Sequence, residues 1–407
     1  MAVASLGHAN RREKVLVVLA LFVALSVLRS HSVSTIDPRV ADSVMRLQPL
    51  GVDGRTVPLF VLKGLYEFTR QISAASLARV MGHFAAAFAT FTLLGVYFVY
   101  RELFGRRYVG VIALALAGSA PAFVSSTSVA TLAVSLFFVV LSVYLWLKQS
   151  WIMWGLATGL ALSSHYGSAT VLLPFLGWAV WARRSTARPW RMGGGVALAV
   201  VITVSSYCWM LNAYGGFSSW VGNVLVPALQ SASATTLGLP TIEAWHLVSF
   251  GGYSALALAL AGAFRSSPLA RRAIVYIFAI AAPYTFLMLV NAGSLAPVVG
   301  TLVWVIATVS ILPVWSADPK RKEIVSLLCW IAPLLILVPL FAPGLSSLFV
   351  FALFPLALLA CRLLDLTLDG EWLDFWWAAG LATDWYYRLG KAALALVLAL
   401  SYIQAAS

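Results

Sequence analysis

The sequence predicts an all-α polytopic membrane protein with about thirteen transmembrane helices. Three observations carry that expectation. The 407 residues are 61% hydrophobic and only 10% charged, against about 25% charged residues in a soluble chain. Apolar runs of membrane length recur from one end to the other. They are rich in Leu, Ala and Val, and a spanning segment must satisfy its own backbone polar groups, so they are helices rather than barrel strands. The basic residues sit in small groups between these runs, as positive-inside topology requires, so the net charge of +13 does not indicate a nucleic-acid partner. Cys208, Cys329 and Cys361 fall in or beside apolar runs and form neither a disulfide framework nor a metal-ligand spacing.

Span 1 is expected at about 14–30. Arg11, Arg12 and Lys14 hold its start in the cytoplasm, and no small-x-small cleavage site follows, so it is a retained helix. The first outer loop, 31–78, contains an amphipathic segment, 57–70, expected to lie as a helix at the membrane interface. Span 2 (about 80–100) returns to the basic run 101–107, and spans 3 (about 108–124) and 4 (about 128–147) are joined by the short outer turn SSTS. Lys148 marks a cytoplasmic end. Spans 5 (about 151–164) and 6 (about 168–182) flank SHYG on the outer side, and 181–191 is the strongest basic loop. Span 7 (about 192–213) leads into a long outer loop, 214–246. Spans 8 (about 247–264), 9 (about 273–291), 10 (about 295–314), 11 (about 324–342) and 12 (about 345–363) follow. An amphipathic Trp-rich stretch, 365–387, precedes span 13 (about 388–404). The whole chain reads as one transmembrane domain, with the N-terminus cytoplasmic and the functional loops outside the cytoplasm.

Chemistry is expected in the first outer loop, where charge is concentrated. Seven of the 27 Lys and Arg, from Arg29 to Arg79, lie in or beside it, and no other outer loop holds one. A basic, acid-bearing outer loop fits an anionic partner such as a lipid phosphate, and also fits headgroup contact by a surface helix. The outer acids are Asp37, Asp42, Asp53, Glu67 and Glu243. Pro38 favours an extended or turn conformation at Asp37. A carboxylate there can ligate a divalent cation, or it can cap a helix that starts at Pro38. His31, His83, His165 and His246 all fall at outer helix ends or in outer loops, where they could converge with the acids, but no pair has metal-ligand spacing. In 163–167, SSHYG, the polar residues can cap two short helices. The loop 214–246 offers Trp220, Asn223, Glu243, Trp245 and His246, which suit either a sugar surface or an interfacial belt.

The order of these features resembles the GT-C membrane glycosyltransferases. It is most similar to the catalytic subunit of oligosaccharyltransferase in its archaeal form. Ile36-Asp37-Pro38 resembles the first acidic motif of that subunit. The runs 97–124 and 163–174 are similar to its second-to-third and fifth-to-sixth helix regions, and 237–300 resembles its mobile outer loop and the helices after it. The resemblance implies a polyprenyl-phosphate-linked sugar donor and a divalent cation, Mg or Mn, held by Asp37. Arg39-Val40-Ala41-Asp42 also resembles the Arg-Tyr-Ala-Glu run of aminoarabinose-type lipid A transferases, and makes Asp42 a second candidate for catalysis. Arg39, His165, Tyr166, Asn291, Glu243 and His246 are the candidates for holding lipid phosphate or sugar.

The chain also departs from the oligosaccharyltransferase pattern. SSTSVATLA has no acid where that family has a second metal ligand, Asn291 stands where an arginine is expected, and no soluble C-terminal domain is expected. Two function classes therefore stay open. One is a transferase that passes glycan to a protein or lipid acceptor. The other is a non-catalytic subunit that partners an active membrane glycosylation complex. A polyprenyl-lipid transporter ranks below both, because no span carries a charge at its centre.

Overall fold

A computed structural model describes residues 11–35, 44–47, 56–70, 77–105, 107–119, 123–124, 130–172, 175 and 189–226, with short pieces between 320 and 362. Described structure is helical throughout, with no strand among the described residues. The chain divides into two compact units, Met1–Gly118 with Phe123–Thr236, and Ser119–Ala122 with Leu237–Ser407. Two described helices are long and apolar enough to cross a membrane, Arg79–Phe104 and Trp190–Ala213. Of the second unit, short helical pieces at 322–330 and 350–362 are described, where spans 11 and 12 are expected; Trp330, Phe351 and Phe354 are buried there. The remainder of spans 8–13 and the stretch 365–387 lie outside the described residues.

In the first unit, α1 (Arg11–Thr35) runs five residues past the expected end of span 1. The segment HSVST contains neither Gly nor Pro, and the first breaker is Pro38. Val17, Ala24 and Leu28 are buried at helical spacing, and this stripe packs on α3 (Leu77–Phe104). Away from this stripe Val15, Val18, Leu19 and Phe22 are exposed, as on a lipid-facing surface. α4 (Arg107–Ser119) follows.

α5 (Ala130–Leu147) packs on α3 on one side and on α6 (Trp151–Leu162) on the other. Its apolar residues are continuous around the helix, and most are buried. Phe88 meets Phe137 at a ring separation of 5.5 Å, and Phe98 meets Tyr144 at 5.7 Å, along the α3–α5 seam. The C-terminal ends of these two helices share one side, where Lys148 pairs with Glu102 at 2.5 Å. The turn into α6 places Gln149 in the left-handed region, φ 57°. Trp146, Trp151, Trp154 and Phe175 form an aromatic cluster beside it, with Trp146 stacked on Phe175 at 4.8 Å.

α2 (Thr56–Arg70) is the amphipathic helix expected at 57–70. It does more than lie on a surface. Leu59 and Leu62 are buried in one cluster with Val44, Met81, Ala85, Ala133 and Val134. Apart from Val44, those partners lie in the opening turns of α3 and α5, so α2 caps the ends of both helices. Phe60 reaches Trp209 of α7 (Pro189–Ala213) at a ring separation of 5.0 Å.

α6 and α7 make the closest backbone approach that the glycines record. A methyl group built on Gly155 would collide with the Gly195 carbonyl oxygen and stand 2.7 Å from Gly195 Cα. One built on Gly159 would stand 3.1 Å from Ala199 Cα. Gly155 and Gly159 on one helix face Gly195 and Ala199 on the other, all at four-residue spacing. Within a membrane, where apolar surface gains nothing by leaving lipid, such small-residue faces let helices pair by close contact. Rising numbers meet rising numbers, so α6 and α7 run parallel. Beyond α7, the first part of the expected loop 214–246 is itself helical: α8 (Phe217–Trp220) and a π turn, Val221–Leu225.

Gly155→Leu or Gly195→Leu is expected to lower stability by at least about 1–3 kcal/mol through overpacking of backbone on backbone. Gly64→Ala on α2, where an added methyl meets nothing within 4 Å, is expected to gain up to about 1 kcal/mol of helix propensity. Thermal unfolding of the detergent-solubilised chain, followed by tryptophan fluorescence, measures both. A Gly155→Leu chain that melts with the wild type would remove the close approach from the fold.

Candidate functional site

α6 has 12 residues, so it rises about 18 Å, short of a hydrocarbon core about 30 Å thick. Its C-terminal residue Ser163 lies level with Ile202 of α7, since Ser163 Oγ donates to the Ile202 carbonyl at 3.4 Å. α7 continues to Ala213, which places its end about 16 Å beyond that level. The junction after α6 is therefore recessed among the helices. SHYG, expected between spans 5 and 6, thus lies beside α7 short of the end of that helix.

The recessed junction is polar and buried. Ser163, Ser164, His165 and Ser168 are each 1% exposed or less. His165 caps a single 3₁₀ helix, Tyr166–Val171, whose first N–H groups need acceptors. Its Nδ1 accepts the Gly167 N–H at 3.0 Å. An imidazole that accepts at Nδ1 carries its proton on Nε2, so the ring presents an N–H from the opposite side. The His165 carbonyl accepts the Ser168 N–H at 3.0 Å. Ser164 Oγ donates to the Leu160 carbonyl at 2.5 Å, and Thr170 Oγ1 to the Gly167 carbonyl at 2.8 Å. Tyr166 supplies the first residue of the 3₁₀ helix.

Three hydroxyls, one each on α6, the 3₁₀ helix and α7, lack such partners among the described residues. Thr158 Oγ1, Ser168 Oγ and Ser206 Oγ are buried and without a hydrogen bond among the described residues. Ser206 stands one turn beyond Ile202 on the same face of α7. A buried hydroxyl left unsatisfied costs about 1–3 kcal/mol, and buried polar groups inside a membrane bundle mark functional sites more often than structural ones. Together with the His165 Nε2–H, these groups can hydrogen-bond a hydroxyl-bearing molecule or ordered water.

A second group gathers where α1 ends and α3 begins. Arg29 and Arg79 both act electrostatically on His83. Lys63 on α2 donates to the Met45 carbonyl at 3.0 Å and ties the cap helix to 44–47. The seven basic residues and the histidines were read separately along the sequence. Arg79 and His83 stand four residues apart in the first two turns of α3, which packs on α1, the helix that carries Arg29.

Of the other expected site residues, Asp37, Arg39, Asp42, Glu243, His246 and Asn291 lie outside the described residues. No group of three His, Cys, Asp or Glu side chains suited to a metal ion occurs among the described residues.

Residues 66–209 match the model of a family described as dolichyl-phosphate-mannose-protein mannosyltransferase. The matched segment runs from α2 to Trp209 in α7 and includes the recessed junction and the α6–α7 contact. It supports placing the chain in the GT-C superfamily of membrane glycosyltransferases, and with the apolar helices it supports an integral membrane protein. No curated protein sequence matches the chain.

His165→Leu is expected to cost about 1–3 kcal/mol, because it leaves the Gly167 N–H buried without an acceptor. His165→Asn retains an acceptor at the cap position and is expected to stay close to wild type. The two melting temperatures in detergent decide the matter: equal destabilisation by both variants would mean that the cap does not hold the turn.

Proposed function

We propose that this chain is a GT-C-type transferase that passes a hexose from a polyprenyl-phosphate carrier to a protein or lipid acceptor at the outer membrane face. The observation that carries this reading is the family match over 66–209. That family is named for mannose carried on dolichyl phosphate and delivered to protein, which favours a lipid-monophosphate donor and a protein acceptor. Ile36-Asp37-Pro38 supports a second donor, the lipid-linked oligosaccharide of the oligosaccharyltransferases.

In either case the acceptor X–H attacks the sugar C1. The bond between C1 and the phosphate oxygen breaks, and the lipid phosphate leaves with the electron pair. Asp37 or Asp42 takes the acceptor proton, which is general-base catalysis by a positioned carboxylate. His165 and the recessed hydroxyls offer donors to sugar oxygens. Arg39, Glu243, His246 and Asn291 are the loop and helix-end residues suited to hold lipid phosphate or sugar, and a divalent cation on Asp37 would neutralise the leaving phosphate. Two sequence features favour a non-catalytic partner subunit instead: SSTSVATLA carries no acid, and Asn291 replaces an arginine.

Membranes containing the chain, supplied with dolichyl-phosphate mannose, are expected to label protein. Removing a general base costs about 10²–10⁴-fold, so Asp37→Asn or Asp42→Asn is expected to lower transfer by that factor. Undiminished transfer in both variants would remove the two acids from the mechanism. No transfer from the wild type, with a stoichiometric membrane protein co-purifying, would establish the partner-subunit reading.

A further inference from the structure

We propose that α2 is a movable roof over the polar junction that follows α6, and that the Phe60–Trp209 ring pair is its latch. Neither part depends on sugar transfer.

One face of α7 runs from α6 to α2. Gly195, Ala199, Ile202, Ser206 and Trp209 stand at alternating four- and three-residue spacing, so they share that face. Its first three residues meet α6: methyl groups built on Gly155 and Gly159 would run into Gly195, Ala199 and the Ile202 side chain. α6 then ends, with Ser163 Oγ on the Ile202 carbonyl at 3.4 Å. Trp209 stands seven residues after Ile202, about 10 Å further along α7. There Phe60 of α2 meets it at a ring separation of 5.0 Å. Ser206 lies between the two levels. It is buried, and its Oγ has no hydrogen bond among the described residues. Beyond the end of α6 that burial needs another cover, and α2 packs on α7 at this level.

The other edge of α2 rests on α5. Leu59 and Leu62 are buried in one cluster with Ala133 and Val134, in the opening turns of α5. α6 packs on both α5 and α7, and the 3₁₀ helix after it packs on α5 as well. α2 thus reaches from α5 to α7 across the end of α6, on the side where the buried His165 and Ser168 follow.

The two edges are held differently. Leu59 and Leu62 are 1% exposed or less, whereas Phe60 is 45% exposed and sits at the rim of its contact. One aromatic pair shifts an equilibrium by roughly two- to tenfold. The α5 side is therefore the fixed edge, and the α7 side is the one that opens. Opening admits water or a hydroxyl-bearing molecule to Ser206 and the junction.

The test reads thiol accessibility, so a chain inactive in transfer leaves it intact. Ser206→Cys is placed in the full chain, with the exposed Cys208 and the half-buried Cys329 replaced by Ser. The chain is labelled in nanodiscs with a small charged methanethiosulfonate. With Phe60 and Trp209 in place the thiol is expected to react slowly. Phe60→Ala and Trp209→Ala are each expected to raise the rate about two- to tenfold, the share of one ring pair in the closed state. Phe60→Trp keeps a ring and is expected to stay slow. Thr92→Cys, at a buried position in α3, is the control and is expected to stay protected in every variant. Equal labelling of Ser206→Cys with and without Phe60→Ala overturns the proposal. A parallel rise at Thr92→Cys overturns it as well, since the whole fold would then have loosened, and so does fast labelling of Ser206→Cys with the latch intact.

Discussion

The backbone contact between α6 and α7 sets the geometry of the first unit. In water, two helices can be held together by burying leucines. In lipid that gain is absent, and association depends on contact distance and on polar pairing. Gly155 and Gly195 supply the distance, because no side chain keeps the two backbones apart. The Ser163 hydroxyl supplies polar pairing about two turns beyond, on the Ile202 carbonyl. Once a 12-residue helix is fixed in register against a 25-residue one, the depth at which it ends is fixed too. The recessed position of His165 is thus a consequence of two glycines and a short helix.

What occupies that depth differs from the rest of the bundle. Elsewhere, hydroxyls inside helices are satisfied locally by the carbonyl one turn back. Thr90 donates to Ala86, Thr92 to Phe88, Ser135 to Thr131 and Thr203 to Ala199, at 2.8–2.9 Å. This is the ordinary way to carry Ser or Thr in an apolar bundle, and it adds no unsatisfied group. Thr158, Ser168 and Ser206 break the pattern. A sequence free to vary could replace any of them with Ala and gain stability. They are the described hydroxyls of this region that the backbone does not satisfy.

Much of this frame was legible in the sequence, and the reasons differ by element. The amphipathic pattern of 57–70 gave α2 to within a residue, because one face had to find apolar cover. The long apolar runs gave α3, α5 and α7 within a few residues. The cover that α2 found was not legible, since Met81, Ala85, Ala133 and Val134 are ordinary members of spans and nothing in their spacing names a partner. The burial of His165 was not legible either, because it depends on the register of α6 against α7.

The frame and the chemistry occupy different parts of this chain, and they carry different information about function. The matched segment begins at residue 66, after Asp37 and Asp42, and ends in α7. It therefore contains the glycine contact, the last turn of the cap helix and the buried hydroxyls, but neither candidate base. A small-residue contact in lipid is retained for packing alone, whatever reaction the protein performs, so the frame supports the superfamily and leaves the reaction to the site. The hydroxyls without a partner among the described residues are different in kind. A buried hydroxyl left unsatisfied lowers the stability of the frame that carries it, and a polar ligand would satisfy it. The acids of the first loop are what would make such a ligand a substrate.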